Sequence, residues 1–371
     1  MARLGDIATV ITKGTTPTSV GYNFQNDGIN FIKIESINEN GGFIDDKFDH
    51  ISDECHKKLK RSQLQENDIL FSIAGAIGRT AIVTNSILPA NTNQALSIIR
   101  IPQGIINYSF LLYVLQSAVV YEQAEKRKQG VAQLNLSLKD ISELVIPDIP
   151  LAQQKDIVEN LDKVNNLIFL RKQQLAKLDE LVKSRFIEMF GDPVQNPMGW
   201  ENRRFDTMCE NLDYRRKPIT ASERESGEYP YYGASGIVDY VADYIFDEDI
   251  LLISEDGANL LMRSTPIAFS VSGKVWVNNH AHVVKFGNME LQKYIEILFS
   301  MIDISEYVTG SAQPKLNQAM LNSMMFPIPN SQLLNQYFEF VNQIDKSKFE
   351  IQKSLEKLET LKKSLMQKYF G

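Results

Sequence analysis

The chain carries its own pattern twice. Near the N-terminus Asp68-Ile69-Leu70 leads to Ser72-Ile73-Ala74-Gly75-Ala76, then to Asn93-Gln94-Ala95, Gly130-Val131-Ala132-Gln133, Leu134-Asn135, Pro147 and Gln153. The same order returns as Asp249-Ile250-Leu251, Ser254-Glu255-Asp256-Gly257-Ala258, Asn279-His280-Ala281, Gly310-Ser311-Ala312-Gln313, Leu316-Asn317, Pro327 and Gln332. Each copy runs into a charged stretch, Glu159 to Gly191 and Glu339 to Gly371, and the two align without a gap. A duplicated unit of globular domain plus long helix predicts pseudo-twofold symmetry, and with it a partner that presents two related surfaces.

With 371 residues, each copy has enough chain for its own core. Hydrophobic content of 43% beside 23% charged residues is that of a soluble globular protein. No apolar run approaches the roughly 18 residues of a membrane span, and Met1-Ala2-Arg3-Leu4-Gly5-Asp6 offers no apolar core for a secretory signal. Only Cys55 and Cys209 are present, which gives no disulfide framework and fits a reducing cytoplasm. Net charge is −7, distributed as −2 over residues 1–150, +1 over 151–191, −8 over 192–330 and +2 over 331–371. A polyanionic partner must therefore be met by local basic clusters, or partly by another subunit.

Turn residues such as Gly14-Thr15-Thr16-Pro17 and Asn40-Gly41-Gly42 punctuate β-rich runs at Ile29 to Ile34, Ile69 to Ile73 and Leu96 to Ile101, and a helix is predicted from Tyr108 to Arg127. The second half repeats this with strands near Ile250 to Ser254, Ile267 to Val271 and Ala281 to Phe286, and a helix near Leu291 to Ile302. Each half reads as α+β. The charged stretches carry heptad stripes, Val164, Ile168, Arg171, Leu175, Leu178, Val182, Arg185 and Met189 in one, and Ile344, Lys348, Ile351, Leu355, Leu358, Lys362, Leu365 and Tyr369 in the other. The resulting organisation is a globular domain over 1–150, a central helical spacer over 151–191, a second domain over 192–330 and a C-terminal helical spacer over 331–371. An antiparallel coiled coil of helices roughly 50 Å long would hold the two domains at opposite ends.

No catalytic constellation emerges. There is no P-loop and no G-x-G-x-x-G, and Gly75-Ala76-Ile77-Gly78 is too short for either. Asn196-Pro197-Met198-Gly199 reads as a turn. His50, Cys55 and His56 lack the spacing of a metal site, and His280 and His282, two apart on a predicted strand and so on one face, lack a third ligand. Glu255 and Asp256 occupy a turn whose counterpart is Ile73-Ala74, a difference that points to specificity rather than shared catalysis.

Taken together, G-x-A-Q, L-N, a P-x-I-P or P-I-P exit, a Gln and a long helix, each present twice, resemble the specificity (S) subunit of type I restriction-modification systems. The most specific pieces are Ser72-Ile73-Ala74-Gly75-Ala76-Ile77-Gly78-Arg79, Glu255-Asp256-Gly257-Ala258-Asn259-Leu260 and Val277-Asn278-Asn279-His280-Ala281-His282. The resemblance implies two target recognition domains, each reading one half of an asymmetric bipartite DNA site, joined by helices on which two methyltransferase subunits dock. It implies no catalysis and no cofactor in this chain, with SAM, ATP and Mg held by the methyltransferase and restriction/translocase subunits, and a cytoplasmic place in host defence. A two-headed scaffold or ligand-binding protein dimerised through its helices is the alternative.

DNA readers use cations on phosphates, and Asn, Gln, Arg or Lys on base edges. In the first half the candidates in or beside turns are Lys13, Thr15, Thr16, Lys33, Arg79, Asn91, Asn93, Gln94, Gln133 and Asn135. In the second they are Arg215, Arg216, Lys217, Ser235, Asn259, Lys274, Asn278, Asn279, His280, Gln313, Lys315 and Asn317. Arg215 and Arg216 are expected on phosphates. Asn93 with Asn279, Gln133 with Gln313, and Asn135 with Asn317 are read as shared pairs, as fit for a structural role as for DNA contact, and the unshared residues as the base discriminators.

Overall fold

Ile69–Ser72 has no polar face to offer water, and all four of its residues are buried. A strand of this kind needs cover on both sides. It pairs antiparallel with Thr80–Ile82 and with Leu96–Arg100, and Leu96–Arg100 pairs in turn with Val10–Lys13. The computed structural model describes residues 1–127, 135–310 and 312–371, which divide into two compact units, residues 1–170 with 354–371, and residues 171–353.

In the first unit a second sheet sets Ile29–Ile32 antiparallel to Asp49–Ile51 and parallel to Ala90–Thr92. Alternation along the central strands then fills two cores. Leu70 and Ile98 meet Ile32, Leu64 and Val83, whereas Ile69, Phe71 and Ile99 meet Phe110, Leu161 and Phe370. Asp68, fully buried at the start of the central strand, accepts two bonds of 2.7 Å from the Arg100 guanidinium, a bidentate pair that fixes the strand register. The single helix expected from Tyr108 to Arg127 is instead two, Tyr108–Leu115 and Ala118–Glu125. The Ser117 side chain accepts from the Val120 amide and opens a new helix there.

The second unit uses the same strand order. Ile250–Ser254 lies between Ala268–Val271 and Ala281–Phe286, which pairs with Cys209–Asn211, all antiparallel. The parallel pair recurs as Ser226–Gly233 with Lys274–Val277, flanked by the hairpin strand Gly236–Val241. The helix lies over Met289–Phe299, with Asn288 as its cap. Both units are mixed helix and sheet, and Asn196 closes the expected turn by bonding to both the N–H and the C=O of Trp200.

The two long helices are Leu151–Phe190 and Ser331–Phe370, 40 residues each. Every residue of both heptad stripes is buried or half-buried. Within the second unit Phe186 and Phe190 pack on Tyr337, and Asp179 pairs with Lys348. Within the first, Ile157 and Leu161 share a core with Phe370, and the Asn160 amide lies 3.4 Å from the Tyr369 hydroxyl. Within the second unit the partner number falls from Lys348 at Asp179 to Tyr337 at Phe186, so the two helices run antiparallel there.

Candidate nucleic-acid interface

Backbone hydrogen bonds give the repeat its true register. The Ile73 amide donates to Ala95 O (2.8 Å) and the Leu136 amide to Ile73 O (2.9 Å); in the second unit Glu255 donates to His280 O (2.9 Å) and Leu316 to Glu255 O (2.8 Å). Asn93 Oδ1 accepts from the Ala95 amide as Asn278 Oδ1 accepts from the His280 amide. Asn93 therefore corresponds to Asn278 rather than Asn279, and Asn135, bridged to Ala74, corresponds to Lys315, bridged to Asp256. Asn317 caps the helix Gln318–Ser323 where Ser137 caps Leu138–Ser142. Two of the three shared pairs read from the sequence are thus displaced, by one and two residues.

At this end of the first unit's sheet, Gly14 lies so close to the 92–93 backbone that a Cβ on it would stand 1.9 Å from Thr92 O. That approach brings Lys13, Thr15 and Thr16 beside Asn93 and Gln94, and the Thr16 hydroxyl bonds to the Gln94 side chain. Lys13, Gln94 and Asn135 are exposed there. The other candidates serve the fold. Asn91 is fully buried, with its amide on Leu59 O and Ser62 Oγ and its carbonyl on His56, so it is withdrawn as a DNA contact. Arg79 donates to Ile34 O and Ile37 O, and Lys33 pairs with Asp49 over the Phe24 ring. Gln133 lies outside the described residues.

The corresponding end of the second unit gathers Ser235, Asn278, Asn279, His280, Gln313 and Lys315. Ser235 is exposed at a hairpin tip held by the bond from Ser254 Oγ to Ala234 O. His280 and His282 do not share a face: the strand begins at Ala281, leaving His280 exposed in the turn, 3.0 Å from Asp256, and His282 buried.

Arg215 and Arg216 are not held as free phosphate contacts. Arg215 pairs with Glu248 at 2.5 Å, donates to Ile245 O and covers Phe246. Arg216 bonds to Glu255 (2.6 Å), to Ala281 O (2.8 Å) and to Asp213 (3.3 Å). These carboxylates lie about 30 to 40 residues away or one helical turn away, and sequence adjacency alone conceals the first kind. Lys217 remains exposed; Lys274 lies over Tyr229 and Tyr244; Asn259 is spent on Thr265 and Ser264 within its own loop; Asn317 is the helix cap already described.

Around Arg216 stands a network that the sequence reading did not assemble. His282 sets one ring nitrogen on Asp213 (2.6 Å) and the other on Leu316 O (2.8 Å), and Lys315 reaches the second oxygen of Glu255 (3.1 Å). Burial pushes the Asp213 and Glu255 carboxyls up, but the hydrogen bonds and charges of His282, Arg216 and Lys315 outweigh it and hold both below the ordinary range. Asp213, Glu255 and His282 place one ligand atom each within 4.8 Å of one another. With Arg216 between the carboxylates and both imidazole nitrogens engaged, the donor set is that of an ion-pair network. Tyr214, 77% exposed beside it, is a second residue missed, although its place directly before Arg215-Arg216-Lys217 is the interleaving of aromatic and base typical of nucleic-acid binders.

Residues 1–180 and again 197–363 match the family model of the type I restriction modification DNA specificity domain. The chain belongs to this family. A specificity-domain protein of Haemophilus influenzae, a putative type I restriction enzyme specificity subunit, is 34% identical over 129 residues, 35% of this chain and 33% of that one. The EcoBI specificity subunit of Escherichia coli is 34% identical over 171 residues, 44% and 35% of the two chains, so these alignments span about a third of each relative. The EcoprrI specificity subunit, also from Escherichia coli, is 25% identical over 342 residues, 86% and 81%. The S subunit structure from M. genitalium covers 100% of this chain and 95% of its own, with a TM-score of 0.56 at 16% identity, which establishes the likeness of fold. A structure from a study of complex assembly and conformational transition of the type I R-M system gives 0.58 at 14% identity, covering 100% and 96%. None of these relatives favours the two-headed scaffold. Among the described residues, no helix is long and apolar enough to cross a membrane.

Proposed function

We propose that this specificity-domain chain is the DNA-reading, non-catalytic subunit of a type I restriction-modification complex. One observation carries the reading: the same frame of loops at one sheet end is built twice and is edged with different polar side chains, Lys13, Gln94 and Asn135 in one unit, and Ser235, Asn279, His280 and Lys315 in the other. Two readers of one backbone design and unlike chemistry suit a bipartite, asymmetric site.

In this reading the long helices are the spacer on which two methyltransferase subunits dock, and restriction/translocase subunits join that core. SAM, ATP and Mg belong to those partners, and the complex works in the cytoplasm. The second domain's charge of −8 leaves phosphate binding largely to the partners.

Co-expression with the cognate methyltransferase subunit, pull-down, and genome-wide mapping of modified adenines test the proposal together. The expected result is a stable complex and a two-part motif, with no methyl incorporation from SAM by the purified chain alone. Turnover by the chain alone above a mock purification overturns it.

A further inference from the structure

The repeat register allows each charged member of the network to be compared with the residue at the same backbone position in the first unit. Val10 opposite Arg100 matches Glu210 opposite Lys285, and Ser72 opposite Leu96 matches Ser254 opposite Ala281. Asp213, Glu255, His282 and Lys315 consequently stand where the first unit has Lys13, Ile73, Ser97 and Asn135, and Arg216 lies in a two-residue insertion, because the Thr15 amide donates to Thr92 O as the Lys217 amide donates to Val277 O. The first unit builds the same sheet end without this network, so the fold does not require it. Withdrawing such charges from water is costly unless they are paired, and a network that the scaffold can do without calls for another purpose.

Its members differ in exposure in a graded way. The His282 side chain is 1% exposed, Asp213 8%, Glu255 13%, Arg216 14% and Lys315 50%. Four groups are locked inside, and their one outlet is an ammonium whose direction is set by Glu255. An ammonium has three N–H donors; the bond to Glu255 uses one and leaves donors on the exposed side. A nearby carboxylate repels a fully charged phosphate more strongly than the neutral acceptor pair on a guanine's major-groove edge, which Lys recognises.

On the reading given under Proposed function, we propose that Lys315 is a specificity-determining residue that reads a guanine in the half-site of the second unit. Glu255 and Arg216 are its positioning residues, braced by Asp213 and His282. The first unit presents Asn135 at the equivalent bridge, a side chain whose matching base is adenine.

The test uses the full chain co-expressed with its methyltransferase subunits and reads the base preference at every motif position by adenine-methylation mapping. Lys315→Asn is expected to lower discrimination for guanine at one position of one half by about 10- to 100-fold while the other half stays as it was. Lys315→Arg, which keeps the paired donors, should retain guanine. Glu255→Gln should relax the same position, whereas loss of a merely structural brace would weaken all positions of that half together. Should Lys315→Asn abolish methylation, Lys315→Arg decides, and loss of guanine in that variant counts against the proposal. A Lys315→Asn motif identical to the parent's overturns it, as does a change only in the salt dependence of binding, the mark of a phosphate contact. If the parent complex yields no two-part motif at all, the reading of the chain as a DNA reader fails instead.

Discussion

Tyr337 donates its phenolic hydrogen to the main-chain carbonyl of Val182, 3.0 Å away and 155 residues earlier in the chain. The bond is buried and ties one long helix to the other within the second unit, with Phe186, Phe190 and Tyr294 packed around it. Tyr337→Phe removes the donor alone and is expected to cost about 1 kcal/mol. Tyr337→Ala also empties the aromatic cluster and is expected to cost about 3–5 kcal/mol. Urea denaturation of both variants measures the ratio; equal losses would show that the hydroxyl, not the ring, is what matters.

Phe370 gives the matching experiment for the first unit. It is 5% exposed and meets Phe110 edge to face, with ring centres 5.6 Å apart. Phe370→Ala should therefore destabilise the N-terminal half of the chain, by about 3–5 kcal/mol. Hydrogen exchange should locate the loosening in Tyr108–Leu115 and the adjoining sheet, and leave Met289–Phe299 as protected as before.

Gly14 is required by space. A methyl group there meets Thr92 O at 1.9 Å and Asn93 O at 2.4 Å, and both are backbone atoms that cannot swing aside. Gly14→Ala should cost about 1–3 kcal/mol and separate Thr16 from Gln94. In methylation mapping it should blur the half-site that Gly257→Ala, in the other unit, leaves intact.

Acid should act on the second unit through its depressed carboxyls. Asp213 and Glu255 are held low against their burial by His282 and Arg216, and Glu248 by its hydrogen bonds from Lys285 and Arg215. A carboxyl lower in the folded than in the unfolded chain contributes stability that is complete above its ordinary value, 3.8 for Asp and 4.5 for Glu, and is lost as pH falls through the folded value. The urea midpoint should thus be level above about pH 5.5 and fall steeply below about pH 4. Asp213→Asn should start lower at pH 7 and fall less. A variant as acid-sensitive as the parent would place the titrating groups elsewhere.

The two thiols should be inert in the native chain. Burial raises Cys55, and burial followed by the nearby Asp206 charge pushes Cys209 up to about 12. Since the thiolate is the reacting form, a maleimide at pH 7.5 should label neither until urea is added.

The long helices and central strands were legible in the sequence because their signals are periodic: Ile250–Ser254 and Ala281–Phe286 match their expected bounds. The site was less so. Asn, Gln and Leu recur too often to fix a register, which the amide of Leu316 on Glu255 O settles through space. Arg215 and Arg216 look available in one dimension because Glu248 and Glu255 are brought to them only by the sheet. Asn91 looks like a turn residue, yet it lies in the strand Ala90–Thr92, where its amide saturates buried carbonyl and hydroxyl groups. Burial and distant ion pairing are properties of the fold, and neither leaves a local mark on the sequence.

The core shared by Phe110, Leu161 and Phe370 has a consequence for synthesis. Residues 1–170 leave the ribosome long before 354–371, which complete the same unit. At about 5–20 residues per second the wait is on the order of ten to forty seconds. During that time the apolar face that will receive Leu365, Tyr369 and Phe370 must be shielded by the nascent chain itself, by a chaperone, or by an early-binding partner. A message cut short anywhere before the codons for residues 354–371 would thus yield an N-terminal half unable to close its own core.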